Sequence, residues 1–273
     1  MKTLFRLLYV ATIFTFVACV REVEGQKSDE IWIKVCDEES ALYPNNIIET
    51  ISWTDFDGSK REVVHKGNYT KKGEWFVIKM ADDDVKNGYV LSEASIRKNP
   101  TFKDEGYRYI TEVQLPSSIT KIDEFAFDRF RNLERVNIPS SVEVIERYAF
   151  WECTSLTSIE IPEGVHEIKK GTFRNCSKLE QINIPSSIEV IEDEAFLECY
   201  SLTNIEIPEG VRMVGERAFY RCSSLESITI PFSVKKIGRE AFKGCCMPFA
   251  IIPSNVRVDN AFDSDVIIKR KYR

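Results

Sequence analysis

Histidine is nearly absent from this 273-residue chain, which carries only His65 and His166. That scarcity removes most metal and acid–base chemistry at once. There is no H-E-x-x-H pair, no C-x-x-C and no Cys/His set at zinc spacing. No G-x-S-x-G elbow or phosphate-cradling glycine loop occurs either, although the chain has 12 glycines. A Ser–His–Asp arrangement is defined by geometry rather than order, so one enzymatic alternative survives, with chemistry around His65 in residues 27–107. His166 stands in a repeat slot held elsewhere by Thr, Glu, Arg and Lys, and reads as an exposed, interchangeable side chain. The calcium loop D-x-[DN]-x-[DN]-G is incomplete at Asp55–Gly58 and at Asp82-Asp83-Asp84, which read as solvated turns. A basic excess is also missing. The net charge of −6 argues against nucleic acid, and the basic end Lys269-Arg270-Lys271-Tyr272-Arg273 reads as a solvated terminus. No catalytic residue, metal or cofactor is assigned.

No apolar run reaches the roughly 20 residues of a membrane helix. The longest, Leu7–Val20, follows Lys2 and Arg6 and suits an export signal. Its end has two readings. Phe16-Val17-Ala18-Cys19 resembles a bacterial lipoprotein box, with Phe16 where Leu or Val is usual, which makes 1–19 the signal and Cys19 the lipidated residue. The rival is ordinary cleavage after Gly25. Either route exports the protein, as a cell-surface or outer-membrane lipoprotein or as a secreted chain. Membrane contact is then expected only through the lipid anchor.

What is present is a period. Prolines stand at 116, 139, 162, 185, 208 and 231, every 23 residues, and phenylalanines at 127, 150, 173, 196, 219 and 242 keep the same beat. Cysteines follow it at 153, 176, 199, 222 and 245, with Phe130 in the preceding slot. Residues 133–177 and 179–223 are identical at 28 of 45 positions, so two units were copied together as a 46-residue block. Each unit reads approximately L-x-x-I-x-I-P-x-x-V-x-x-I-x-x-x-A-F-x-x-C. The I-x-I-P portion alternates as a short strand does, and proline ends the ladder because it has no N–H to donate. The A-F-x-x-C portion is expected to turn back as a helical or 3₁₀ turn. One unit cannot cover its own apolar side, so units must stack into a solenoid. The cysteine ladder reads as buried thiols, since Phe130 replaces one without breaking the pattern.

This unit resembles the BspA-like (Treponema-type) leucine-rich repeat over about residues 108–250, with a degenerate unit around Pro253, Val256 and Phe262 and a closing strand at Val266–Ile268. The resemblance implies a solenoid of short parallel strands in an exported or surface protein that binds other macromolecules. The domain reading is therefore signal 1–19, a small β-rich module with cap over 20–107, and the repeat solenoid over 108–273. Within the module, Ile31–Val35 and Trp75–Ile78 read as strands. Ile51–Trp53 and Glu62–Val64 form a hairpin about Asp57-Gly58.

Two surfaces are candidates for a partner, an extracellular protein or glycan met by a monomer. The first is the outward strand positions: Glu112 and Gln114, then Arg135, Asn137, Ser158, Glu160, Gln181, Asn183, Asn204, Glu206, Ser227 and Thr229. Six strands about 4.8 Å apart give a polar, aromatic-free strip roughly 25 Å long. The second is an edge after A-F, where Trp151, Leu197 and Tyr220 share one slot and Tyr200 lies nearby. These side chains either present a hot spot or fold back over the turn. A spacer with no specific ligand is the remaining alternative.

Overall fold

A computed structural model describes residues 29–35, 50–54, 60–64, 75–92, 94–96 and 106–272. Cys19, Cys36, His65 and the Asp55–Gly58 turn lie outside them. The repeats stack as expected, and each coil contributes rungs to two ladders rather than one. The first ladder holds the I-x-I segments: β6 (Ile110–Gln114) pairs parallel with β8 (Arg135–Asn137), and β10 (Ser158–Glu160) with β12 (Gln181–Asn183). At its far end β15 (Ile228–Thr229), β17 (Phe249–Pro253) and β18 (Ile267–Lys271) form a three-stranded parallel sheet. Residues 203–208 have no strand pairing, so the six strands do not form one continuous sheet.

The second ladder is built from the V-x-x-I segments. It runs β5 (Val90–Leu91), β7 (Lys121–Ile122), β9 (Val144–Ile145), then β11 (Glu167–Ile168), β13 (Val190–Ile191), β14 (Met213–Val214) and β16 (Lys236–Ile237). Two residues per rung are too few for alternation to register in sequence.

The amino-terminal end is an antiparallel addition to the first ladder. β1 (Glu30–Val35) lies between β4 (Trp75–Lys79) and β6, antiparallel to both. The expected hairpin is present as β2 (Thr50–Thr54) and β3 (Lys60–Val64). One apolar core runs without a break from Ile31 to Val266. Asp82-Asp83-Asp84, read as a solvated turn, instead opens a one-turn helix, α1 (Asp82–Lys86). Asp84 is buried there because its carboxylate accepts hydrogen bonds from Ser92 N and from the Ser92 and Ser95 hydroxyls.

The A-F-x-x-C segments are hydrogen-bonded turns, not helical or 3₁₀ turns. Each contains two residues in the left-handed region, such as Tyr148 (φ 57°) and Glu152 (φ 58°), or Arg217 (φ 53°) and Arg221 (φ 60°). A left-handed residue stops a helix, at roughly 1–2 kcal/mol for a side chain other than glycine. The released amides are satisfied by the next coil: Phe150 N donates to Thr172 O at 2.9 Å and Glu152 N to Arg174 O at 2.9 Å. Stacking therefore replaces the internal helix bonds, which local sequence cannot show.

Inside, the phenylalanines form one column. Successive rings from Phe127 to Phe242 and on to Phe262 stack 5.0–5.5 Å apart and within 13° of parallel. Beside them the five ladder cysteines are free and buried, and each thiol donates to the carbonyl of a phenylalanine in the preceding coil at 3.1–3.2 Å. Coils narrow toward the end. Gly238 follows Gly215 in a slot held earlier by Asp123, Glu146, Lys169 and Glu192, and a Cβ on Gly238 would lie 2.4 Å from Glu216 N and 2.5 Å from Gly215 C. Backbone cannot give way as a side-chain tip can. Gly238→Ala is thus expected to cost about 3 kcal/mol, the upper part of the usual overpacking range, read as a lower urea midpoint. An unchanged midpoint would show that the two coils can separate freely.

Candidate functional site

The alternation that buries Ile159 and Ile161 turns Ser158 and Glu160 outward, and the same holds for Gln181 and Asn183 around Ile182. In register, Ser158 lies beside Gln181 and Glu160 beside Asn183. All four are exposed, as are Asn204, Glu206, Ser227 and Thr229. Asn204 and Glu206 stand on the unpaired segment rather than on a strand.

The first rungs differ from the rest. Glu112 is buried and its carboxylate holds Arg135 Nη2 at 2.9 Å. Asn137 is half-buried, and its Oδ1 accepts from Leu115 N at 2.7 Å. These two pairs hold coils together, so Arg135 and Asn137 are partly committed to the fold.

Beyond Thr229 the strip continues into residues that the period does not reach. Ile251 on β17 lies beside Thr229, and on β18 Ile267 sits beside Phe249, Lys269 beside Ile251 and Lys271 beside Pro253. The face is therefore not aromatic-free. Lys269 Nζ lies 3.8 Å from the centre of the Phe249 ring, and Lys271 Nζ lies 4.5 Å from that of Phe232. The degenerate last unit and its closing strand are present, the strand running Ile267–Lys271 rather than Val266–Ile268, but their share of the strand face was not read because the spacing breaks: Pro253 follows Pro231 by 22 residues and Phe262 follows Phe242 by 20. The usable signal was Ile-Ile-Lys-Arg-Lys itself, which alternates once the strand is placed.

The turn side has a different character. Acids and bases one coil apart pair repeatedly: Arg147 with Glu124, Lys169 with Glu146, Arg212 with Glu189, Arg221 with Glu198 and Arg239 with Glu216, all at 2.9–3.4 Å. Trp151 is half-buried, with Arg129 and Arg174 guanidiniums 5.1 and 6.0 Å from its ring. Tyr220 is half-buried between Arg217 and Arg221. Leu197, placed on this edge as an exposed side chain, is only 8% exposed, although it lies outside the continuous apolar core. Tyr200 is 38% exposed, and partial burial with the Glu198 carboxylate beside it pushes its phenol up.

On the strand side, apart from Glu112 with Arg135, the acids are left alone. Glu160, Glu180, Glu206 and Glu226 are exposed and form no ion pair among the described residues. Also among the described residues, no group of three metal-ligating side chains converges and no helix is long and apolar enough to cross a membrane. His166 is exposed, its Nδ1 3.2 Å from Ser187 O, and the Ser187 hydroxyl donates to Val165 O at 2.7 Å rather than to the imidazole.

No curated protein matches the sequence significantly. Among solved structures, a leucine-rich repeat protein of T. pallidum is 30% identical over 57% of this chain and 82% of its own, with a TM-score of 0.49. A protein of Faecalibacterium prausnitzii, described as a leucine-rich cell surface protein, is 23% identical over 79% of this chain and 55% of its own, with a TM-score of 0.50. A leucine-rich repeat protein of Bacteroides ovatus is 21% identical over 84% of this chain and 67% of its own, with a TM-score of 0.41. The family described as "BspA type leucine rich repeat region" matches in six copies across residues 98–223 and 145–265. With the 23-residue coil, the two ladders and the phenylalanine column in view, this chain belongs to the BspA-type leucine-rich repeat family.

Proposed function

We propose that the protein is an exported, non-enzymatic interaction protein that binds an extracellular protein or glycan through its strand face, in a role suited to adhesion. The observation that carries this is the contrast between the two sides. Turn-side charges pair repeatedly between neighbouring coils, whereas the strand face from Ser158 to Thr229 presents exposed Glu, Asn, Gln, Ser and Thr side chains that make no side-chain hydrogen bond or ion pair among the described residues. A rigid face lowers the ordering cost of binding, so that many modest polar contacts can sum to useful affinity. The surface description of the Faecalibacterium protein and the apolar Leu7–Val20 run both support export, with Cys19 as the proposed lipid-anchor residue.

The alanine set Gln181, Asn183, Glu206 and Thr229 tests the placement, since none of these side chains makes a hydrogen bond or ion pair that holds coils together. Soluble protein with Cys19→Ser would be offered matrix proteins, mucins and surface glycans. We expect saturable capture of a partner, weakened about tenfold or more in the quadruple variant at unchanged melting temperature. Equal capture by the variant would move the site off this face. No saturable capture by either would favour the spacer reading.

A further inference from the structure

The carboxy-terminal end of the strand face differs in chemistry from the rest. Outward positions on the earlier coils are polar or charged, with Arg135 paired to Glu112, but here Phe249, Ile251 and Ile267 lie together, and Ile267, 63% exposed, is the one exposed large aliphatic side chain among the described residues. Lys269 and Lys271 flank them on the same face of β18. Neither lysine forms an ion pair among the described residues; each instead lies over an aromatic ring. Turn-side arginines and lysines of the middle coils, by contrast, reach a glutamate one coil away.

We infer that this patch docks an extended acidic polypeptide segment, with apolar side chains on Ile251 and Ile267 and carboxylates on Lys269 and Lys271. Three features select that occupant. The patch is basic within an otherwise acidic face, so its electrostatic complement is an acid. Ile267, Lys269 and Lys271 recur every second residue, about 6.6 Å apart, which is the side-chain period of an extended chain. A glycan would need an open ring face to stack on, and those of Phe249 and Phe232 are each covered by an ammonium. A second copy's acidic strip would offer the charge but no apolar partner for Ile267.

The inference rests on the strand face being the binding surface, and the test separates the two. A fluorescein-labelled peptide of alternating aspartate and leucine, its lysine–leucine counterpart and heparin would be titrated with the soluble chain by fluorescence anisotropy. We expect the acidic peptide to bind about tenfold or more tightly than the basic one, and to weaken by a similar factor in K269E/K271E and, less, in K269Q/K271Q. Binding of the wild-type chain should also weaken as salt rises. Absence of acidic-peptide binding, or equal binding by both variants, overturns the inference. So does heparin outcompeting the peptide in a manner lost in K269E/K271E, which assigns the patch to a glycan. A dimer lost in K269E/K271E overturns it in favour of a second copy. If K269E/K271E keeps a captured partner that the Gln181–Thr229 alanine set loses, the inference fails while the proposed function stands.

Discussion

Between about pH 8 and about pH 10 the protein is expected to lose most or all of its folding stability. The cause is the cysteine ladder. Burial pushes the thiols of Cys153, Cys176, Cys199 and Cys222 far up, reinforced in Cys176, Cys199 and Cys222 by the neighbouring thiol, and pushes Cys245 up to about 12. In the unfolded chain each ionises near 8.5. Below that value both states are protonated and the burial contribution is complete. Above it the unfolded chain sheds protons that the folded chain keeps, so the unfolded state gains about 1.4 kcal/mol per thiol per pH unit. By about pH 10 that is about 2 kcal/mol per thiol, or about 10 kcal/mol for the five, comparable with the stability of a whole domain. Urea unfolding across this range should show a steep fall in midpoint, and Cys199→Ala should reduce the slope by one thiol's share. Alkylation mapped by mass spectrometry should modify exposed Cys246 in the folded protein and the ladder cysteines only as it unfolds. Constant stability from pH 8 to 10 would sink this account.

Phe196→Ala, like truncation of any inner ring of the phenylalanine column, should be strongly damaging. Its ring is fully buried and stacks on Phe173 at 5.4 Å and on Phe219 at 5.0 Å. Removing a buried phenylalanine costs about 3–5 kcal/mol through lost burial and the cavity left behind, and the two ring contacts add to this. Phe262 has one stacked neighbour, Phe242, and is only partly buried, so Phe262→Ala should cost about half as much. Since each coil contacts only its neighbours, the central variant should also split unfolding into two steps, one for each flanking block. Equal costs at positions 196 and 262, measured by urea unfolding, would mean that the column is not a unit.

The reach of the sequence can be judged residue by residue. The coil length, the strand at Ser158–Glu160 and the buried Phe and Cys columns were legible because they repeat: six imperfect copies average away the noise of any one. The left-handed turn residues were not, since Phe, Tyr, Glu, Arg and Asn occupy most of those slots and the two glycines among them, Gly171 and Gly244, fall in different slots of different coils. The second ladder was hidden by its two-residue rungs. On the strand face, the outward Gln181 and Asn183 followed directly from alternation, whereas the structural duty of Asn137 depends on a contact to Leu115, 22 residues earlier. Leu197 looked like Trp151 and Tyr220 because slot position says where a side chain starts, not which way a smaller one turns. The closing strand containing Ile267 was legible, but its place on the strand face beside Phe249 and Ile251 was not, because the beat itself changes there.

The charge rungs on the turn side also bear on how such a chain can grow. In the copied block, the first coil carries acids at 146, 189, 194 and 198, and the second carries bases at 169, 174, 212, 217 and 221. Lys169 meets Glu146 below it, and Arg174 meets Glu194 above it. Within this block the contacts thus join unlike signs across the coil boundary. Excising residues 156–178 alone would set Glu143 and Glu146 against Glu189 and Glu192 and lose the Glu146–Lys169 pair. Loss of a single coil from the block therefore brings like charges together at a boundary that now joins opposite ones.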